Sequence, residues 1–408
     1  MPDADQRVGL AGSRIILGVT GGIAAYKAVE LASTLVQSGA EVRVAMTAAA
    51  TEFVQPLTFS GITHQAVLTG VFDGWTDGGT GHVELARTAD LVVIAPATAN
   101  SIARLAQGLV DDMLSAVVMA TTAPVVIAPA MEHHMWLHPA VQANLQLLFD
   151  RGVRVIEPAE GRLASGATGH GRLAPLPALL HGIRRALGSG GPLAGRKVVV
   201  TAGGTREAID PVRYIGNRSS GQMGIALAQA AIDLGAEVDL IVTSSVDVGR
   251  LAGNHQVVES ALELEQAVND AVAAADVLIM AAAVADFRPA SVAERKLKKQ
   301  PGQETMSIEL VRNPDIIAGI SRPGLLKVGF AAETDDLIQN AEQKLRSKDL
   351  AMIVANEAVA TIGSSRSQAT LIKRDQAPEP LPEGPKEEVA AHIMAEVARL
   401  IPAGGSHA

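Results

Sequence analysis

Two groups of residues in this chain have the types and spacing to handle phosphorylated molecules. The first lies in the stretch 198–224, where an apolar β-branched run breaks into glycines and threonines and passes through Asp210-Pro211-Val212-Arg213. It then presents Asn217-Arg218-Ser219-Ser220-Gly221 ahead of a helical pattern. That order predicts a strand, a polar loop and a helix start. Ser219 or Ser220 can cap the helix, Gly221 lets a ligand approach the backbone, and the unpaired amides of the first turn favour an anion. Any one of these residues reads as loop punctuation; together they read as a nucleotide-phosphate site. The second group is basic in an acidic chain, Arg295-Lys296-Leu297-Lys298-Lys299; Lys344 and Lys348, four apart on one helical face, read by themselves as ordinary helix decoration. A basic run is usually a solvated face. A nucleoside triphosphate, however, needs several positive charges held together, and a lysine flap supplies them once substrate is bound.

Smaller signals lie in the first half, each after an apolar run. Gly18-Val19-Thr20-Gly21-Gly22-Ile23 has the glycine turn and helix start of a phosphate loop without the full GxGxxG pattern. Thr47 follows the second run and can bind a phosphate or cap a helix. Thr98, Asn100 and Ser101 follow the third. Each loop alone is more simply a satisfied helix start, but loops after successive parallel strands fall on one edge of a sheet, where ligands bind.

The elements that must position these residues alternate as an α/β layer should. In the first half, strands are predicted over 14–19, 41–46, 91–95, 124–128 and 153–156. Helices are predicted over 23–37, 102–120 and 138–150. The small-residue stretch 187–195 reads as a linker, with the boundary near Gly190. In the second half, strands are predicted over 237–242, 277–282, 326–330 and 350–355, with an edge strand at 368–373. Helices follow over 225–234, 262–275 and 337–348, and a last one after the Pro-rich segment 377–385. The fold class is therefore α/β, with two consecutive Rossmann-like parallel-sheet domains over 1–190 and 191–408.

Composition excludes several classes. The 408 residues suffice for two domains with real cores, and with aromatics at 2% those cores must be built from small aliphatic side chains. A formal net charge of -9 leaves no basic excess for a nucleic-acid backbone. The chain has no cysteine, which removes disulfides, thiolate metal sites and cysteine nucleophiles. No apolar run reaches the roughly 20 residues of a membrane span and no signal-peptide pattern appears, so a cytoplasmic protein is expected.

The stretch TAGGTRE, DPVR, NRSSGQMG resembles phosphopantothenate-cysteine ligase. The first half is similar to the flavin-dependent cysteine decarboxylases, through GVTGGIAAYK, MTAAATEFV, GHVELA, APATANSIARLAQGLVDD, PAMEHHMW and the glycine-rich stretch 161–172. The domain order is that of the bifunctional coenzyme A biosynthesis enzymes. In the rear half, the resemblance implies ligation of 4'-phosphopantothenate to cysteine by way of an acyl-cytidylate made from CTP. Asn217 would then bond the acyl-cytidylate, and Lys296 and Mg²⁺ would face the phosphates. Gly203, Asp286, Lys296, Pro314, Asp315, Ile316, Ile317, Phe330, Lys344 and Lys348 would surround the nucleotide. In the front half, a flavodoxin-like domain would bind FMN through Gly21, Gly22, Ile23, Thr47, Thr98, Asn100 and Ser101, and would decarboxylate phosphopantothenoylcysteine with His82 as the base.

Two residues depart from the family pattern. Glu132 stands where the family has an asparagine against the departing carboxylate, and Ser165 stands where the clamp has a proton-donating cysteine; Thr168, His170 or a water are conceivable substitutes. Three alternatives stay open: a ligase whose flavodomain serves assembly or regulation, a flavoprotein that stops at the oxidised product, and a pair of dinucleotide-binding domains suggested by glycine turns alone. The resemblance also implies a homo-oligomer, with flavodomain trimers and ligase dimers.

Overall fold

The computed structural model describes residues 9–72, 81–248, 255–298, 304–333, 337–357 and 366–401. Lys299, the Gly-rich stretch before Gly81 and the C-terminal tail lie outside them. Contacts divide the chain between Ser189 and Gly190 into two compact units.

In the first unit, β1 (Arg14–Val19), β2 (Glu41–Met46), β3 (Leu91–Ala97), β4 (Val125–Pro129) and β5 (Arg154–Val155) form a five-stranded sheet in the order β2-β1-β3-β4-β5. Every pairing is parallel. The strands read as continuous apolar runs because both faces are covered. One face packs beneath α1 (Ala25–Gln37) and, further along, α9 (Leu176–Leu187), through Leu17, Val44, Leu31 and Ile183. The short α2 (Ala48–Thr51) and α3 (Pro56–Thr63) follow β2. The other face packs beneath α4 (Gly81–Thr88), α5 (Ala99–Gln107), α6 (Met113–Ala120) and α8 (Pro139–Asp150), with the one-turn α7 (His133–Trp136) ahead of the last.

The helix predicted over 102–120 is in fact two. Gly108 adopts a left-handed φ of 71° and ends α5, and Asp112 starts α6 through a capping box with Ser115. Periodicity continues through the break, so it masked these stop and start signals. The glycine-rich stretch 161–172 is a two-stranded antiparallel ribbon, β6 (Ala159–Arg162) and β7 (Thr168–Arg172).

The second unit has an eight-stranded sheet. In chain order its strands are β8 (Lys197–Ala202), β11 (Glu237–Thr243), β12 (His255–Val258), β13 (Val277–Met280), β16 (Leu326–Glu333), β17 (Met352–Glu357), β19 (Thr370–Lys373) and β20 (Glu379–Pro380). They are arranged β12-β11-β8-β13-β16-β17-β19-β20. The first six are parallel and the last two antiparallel. The strand predicted at the edge, β19, is therefore interior, because the two-residue β20 covers it. Small ribbons extend the loops: β9 (Arg206–Ala208) with β10 (Tyr214–Gly216), β14 (Phe287–Pro289) with β15 (Leu310–Arg312), and β18 (Arg366–Ser367) with β21 (Gly384–Pro385). The helices α11 (Ala261–Val272), α12 (Ile316–Gly319) and α13 (Leu337–Ser347) share one core with Val199, Leu278 and Ile353. On the other face α10 (Gln222–Asp233) packs along α14 (Lys386–Leu400).

Candidate functional sites

In the first unit the loops after β1, β2 and β3 are tied together at the reversal in strand order between β1 and β3. Thr20 is fully buried; its hydroxyl donates to the Pro96 carbonyl (2.7 Å) and accepts from the Thr98 amide (3.0 Å). The Thr47 amide donates to the Val19 carbonyl (3.0 Å). Gly21 lies so close to α2 that a Cβ there would meet Ala49 at 2.4 Å, and a Cβ on Gly22 would come within 3.5 Å of Thr98. The predicted residues Gly21, Gly22, Thr47 and Thr98 thus form one edge. Asn100 and Ser101 follow in the first turn of α5; Asn100 is exposed, and Ser101 is buried with its amide and hydroxyl on Thr98. Thr98 and Ser101 therefore cap their own helix. Ile23 projects outward at 62% exposure.

A flavin phosphate fits this edge on one structural observation. Among the described residues the buried Thr47 hydroxyl has no hydrogen-bond partner, and it does not cap α2, which begins immediately after it. A buried hydroxyl without a partner is costly in a native fold, so it calls for a polar ligand atom. Thr47, the backbone of Gly22 and the Asn100 carboxamide are the groups that would hold one. Thr20, which organises the edge, was not singled out as a site residue by sequence reasoning; its only signal is a hydroxyl buried in a glycine turn.

The three remaining candidates of this unit sit on separate elements. His82 is the second residue of α4, and its Nδ1 is buried without a partner among the described residues. Glu132 caps α7. Burial pushes its carboxyl up, but hydrogen bonds from the His134 amide (2.7 Å), the His134 ring (3.2 Å) and the Met135 amide outweigh burial and hold it below the usual carboxylate range. It is thus an ionised cap, and its oxygens are already engaged. Ser165 is exposed at the tip of the β6–β7 ribbon, accepting from the Ala167 amide at 3.5 Å. The ribbon seats on the Glu132 loop: the Met131 amide donates to the Gly171 carbonyl (2.9 Å), and His133 Nδ1 lies 3.2 Å from the His170 carbonyl oxygen.

In the second unit, one cavity of about 420 Å³ collects most of the predicted residues of that half. Its walls include Asn217, Asp286, the turn Pro314-Asp315-Ile316-Ile317, Phe330, Lys344 and Lys348. Asn217 is fixed by its Nδ2, which donates to the Val284 carbonyl at 2.9 Å. Asp315 caps α12 and pairs with Lys348 at 2.9 Å. Two further residues, not read from the sequence, hold these walls. Asn313, 7% exposed, donates to the Ala285 carbonyl (2.8 Å) and accepts from Arg288 (3.0 Å). Lys327, buried in β16, donates to the carbonyls of Ile317, Ile320 and Lys348, and so ties the 314–317 turn and α12 to the end of α13. A lone lysine inside an apolar strand was the available signal.

The helix start differs from expectation. Neither Ser219 nor Ser220 caps α10: the cap position is Gly221, at φ 72°, and it makes no side-chain cap bond. The Ser219 hydroxyl instead accepts from the Gly221 amide at 3.4 Å. The amides of the first turn are consequently left to the cavity, into which Gly221–Gly224 open.

Two predicted nucleotide residues are absent from the walls. Gly203, at φ 100°, faces its own protein, since a Cβ there would meet Thr243 at 2.1 Å and Val246 at 2.5 Å. Lys296 is exposed, and its neighbour is what the fold holds. The Leu297 amide donates to Asp210 (3.1 Å), and its carbonyl accepts from Arg213 (2.7 Å). The Asp210 carboxylate has no exposed surface. Its hydrogen bonds with the Arg213 guanidinium, and then those from the amides of Val212, Leu297 and Arg213, hold it well below the usual carboxylate range. The DPVR segment therefore anchors the base of the lysine run.

The chain is a two-domain flavoprotein-type enzyme: residues 4–188 match the family described as Flavoprotein, and residues 193–401 match the DNA/pantothenate metabolism flavoprotein C-terminal domain. It belongs to the family of bifunctional coenzyme A biosynthesis proteins. It is 44% identical over 394 residues to the Coenzyme A biosynthesis bifunctional protein CoaBC of Vibrio cholerae, covering 94% of this chain and 98% of that one. The Bacillus subtilis protein of the same name is also 44% identical, covering 95% and 97%. The Escherichia coli protein is 44% identical over 359 residues, covering 85% and 87%. Both family matches set aside the pair of dinucleotide-binding domains.

Proposed function

We propose that the chain ligates 4'-phosphopantothenate to cysteine at the expense of CTP and decarboxylates the product to 4'-phosphopantetheine, the first step in the rear unit and the second in the front one. The observation that carries this is the single cavity that brings Asn217 together with Asp286, Phe330, Lys344 and Lys348. In ligation, a carboxylate oxygen of phosphopantothenate attacks the α-phosphorus of CTP and pyrophosphate leaves. The cysteine amine then attacks the acyl carbon, CMP departs with the bonding pair, and the surplus proton passes to solvent. Asn217, oriented by Val284, donates to the acyl oxygen as charge develops there. Lysines 344 and 348 and the open amides of α10 offset the phosphate charge. Lys296 joins them from the run anchored at Leu297. Among the described residues no group of three or more His, Asp or Glu could hold a Mg²⁺ ion.

Held at the Thr47 edge, FMN would supply a two-electron acceptor and donor for the decarboxylation. His82 takes the proton that leaves with oxidation. Glu132 remains ionised and keeps the His133–His134 turn in place, while the ribbon offers Ser165 at its tip and Thr168 and His170 in β7 for the returning proton. His82→Asn is expected to slow carbon dioxide release by about 100-fold or more and to leave CMP formation unchanged, so phosphopantothenoylcysteine should accumulate. A variant that releases carbon dioxide at the normal rate would remove His82 from the reaction.

We infer that the reaction is cytoplasmic, a reading compatible with there being no helix among the described residues long and apolar enough to cross a membrane. We also infer a homo-oligomer, with flavodomain trimers and ligase dimers. Support comes from exposed apolar residues on each unit, Tyr26, Phe53 and Leu57 on the first and Val212, Tyr214 and Phe287 on the second.

A further inference from the structure

One end of the rear cavity is unexplained by the nucleotide residues. It is walled by Lys386, the first residue of α14, and by Ser367 in β18. The β18–β21 ladder brings them together, pairing Ser367 with Gly384, two residues before the lysine. Both are at least nine-tenths buried, at 7% and 3% exposure. Among the described residues the Ser367 hydroxyl has no hydrogen-bond partner. Burial lowers the pKa of Lys386, and Glu387 only partly counters that. Two helices also open here. The cap of α14 is Pro385 and that of α10 is Gly221, and neither supplies a side-chain cap bond. A cation, an unpartnered hydroxyl and two helix N-termini thus face one space, with Glu387 and Glu388 in the first turn of α14 and Asp286 and Asp315 elsewhere on the cavity walls.

We propose that Lys386, Ser367 and the N-termini of α10 and α14 form a phosphate-binding subsite used during ligation. The shared chemistry is a phosphate group with several unesterified oxygens, which either the phosphorylated acid or the nucleotide could bring. The inference rests on the ligase reading. The nucleotide is already met by Phe330, Lys344 and the 314–317 turn, which favours the acid as the source.

Calorimetric titration of the full chain with phosphopantothenate alone, and separately with CTP alone, tests it. Lys386→Met should weaken one of the two ligands by about tenfold or more and Ser367→Ala by a few-fold, as expected for losing a charge-assisted and a neutral hydrogen bond. Lys386→Arg should recover part of the loss. Weakening confined to phosphopantothenate assigns the subsite to the acid, and weakening confined to CTP assigns it to the nucleotide. If the wild-type chain binds both and the variants bind both equally well, the subsite is overturned. A wild-type chain that binds neither would instead overturn the ligase reading. A purely structural lysine would shift the thermal midpoint of the unliganded chain and leave both affinities alone, which also overturns the proposal.

Discussion

Asn217→Asp should slow amide formation by about 100- to 1,000-fold, the loss typical of removing one donor to a developing oxyanion, with the fold intact. The substitution is nearly isosteric, yet it replaces a neutral donor with a carboxylate. That carboxylate would face the Val284 carbonyl that now accepts from Nδ2 at 2.9 Å, and it would confront the acyl group and the phosphates together. The residue is exposed at the rim of the cavity, so little packing is at stake. Rapid-quench measurement of CMP and of the amide product checks it. Unchanged amide formation would take Asn217 out of the mechanism.

Gly203→Ala is expected to destabilise the rear unit by about 2–5 kcal/mol, combining the strain of a non-glycine residue at left-handed φ with overpacking. The added methyl would meet the Thr243 hydroxyl at 2.1 Å and Val246 at 2.5 Å, and the backbone at φ 100° is one that side chains rarely adopt. Thr243 is 1% exposed and has nowhere to retreat. Thermal unfolding and the KM for CTP separate two roles for this glycine. A drop in the midpoint, with ligation lost in proportion to unfolding, is the expected result. A raised KM at an unchanged midpoint would instead make Gly203 a ligand contact.

What the sequence disclosed follows from how locally each feature is encoded. The strands and their order of alternation were legible because buried parallel strands are continuous apolar runs. The site loops were legible because glycine, proline and small polar residues mark the sheet edge. The break between α5 and α6 was hidden, since Ile102 to Ala120 keeps its apolar spacing while Gly108 and Asp112 interrupt the backbone. Capping of α10 was misjudged because two serines beside a helix start are usually caps, whereas here Gly221 takes that position in a left-handed conformation. Residues that act through distant partners gave the weakest signal. Lys327 reaches three carbonyls up to 21 positions away, and Ser367 meets the α14 start only through the β18–β21 ladder. Asp210 was visible as part of a motif, but not its role in gripping Leu297, 87 positions along the chain.

The most direct test of two linked reactions in one polypeptide is a carbon and nucleotide balance. The purified flavin-loaded chain would be given phosphopantothenate, CTP and cysteine labelled at its carboxyl carbon. CMP, pyrophosphate, labelled carbon dioxide and phosphopantetheine should rise in equal amounts once the intermediate reaches steady state. CMP and labelled phosphopantothenoylcysteine accumulating together, with no labelled carbon dioxide, would contradict the linkage.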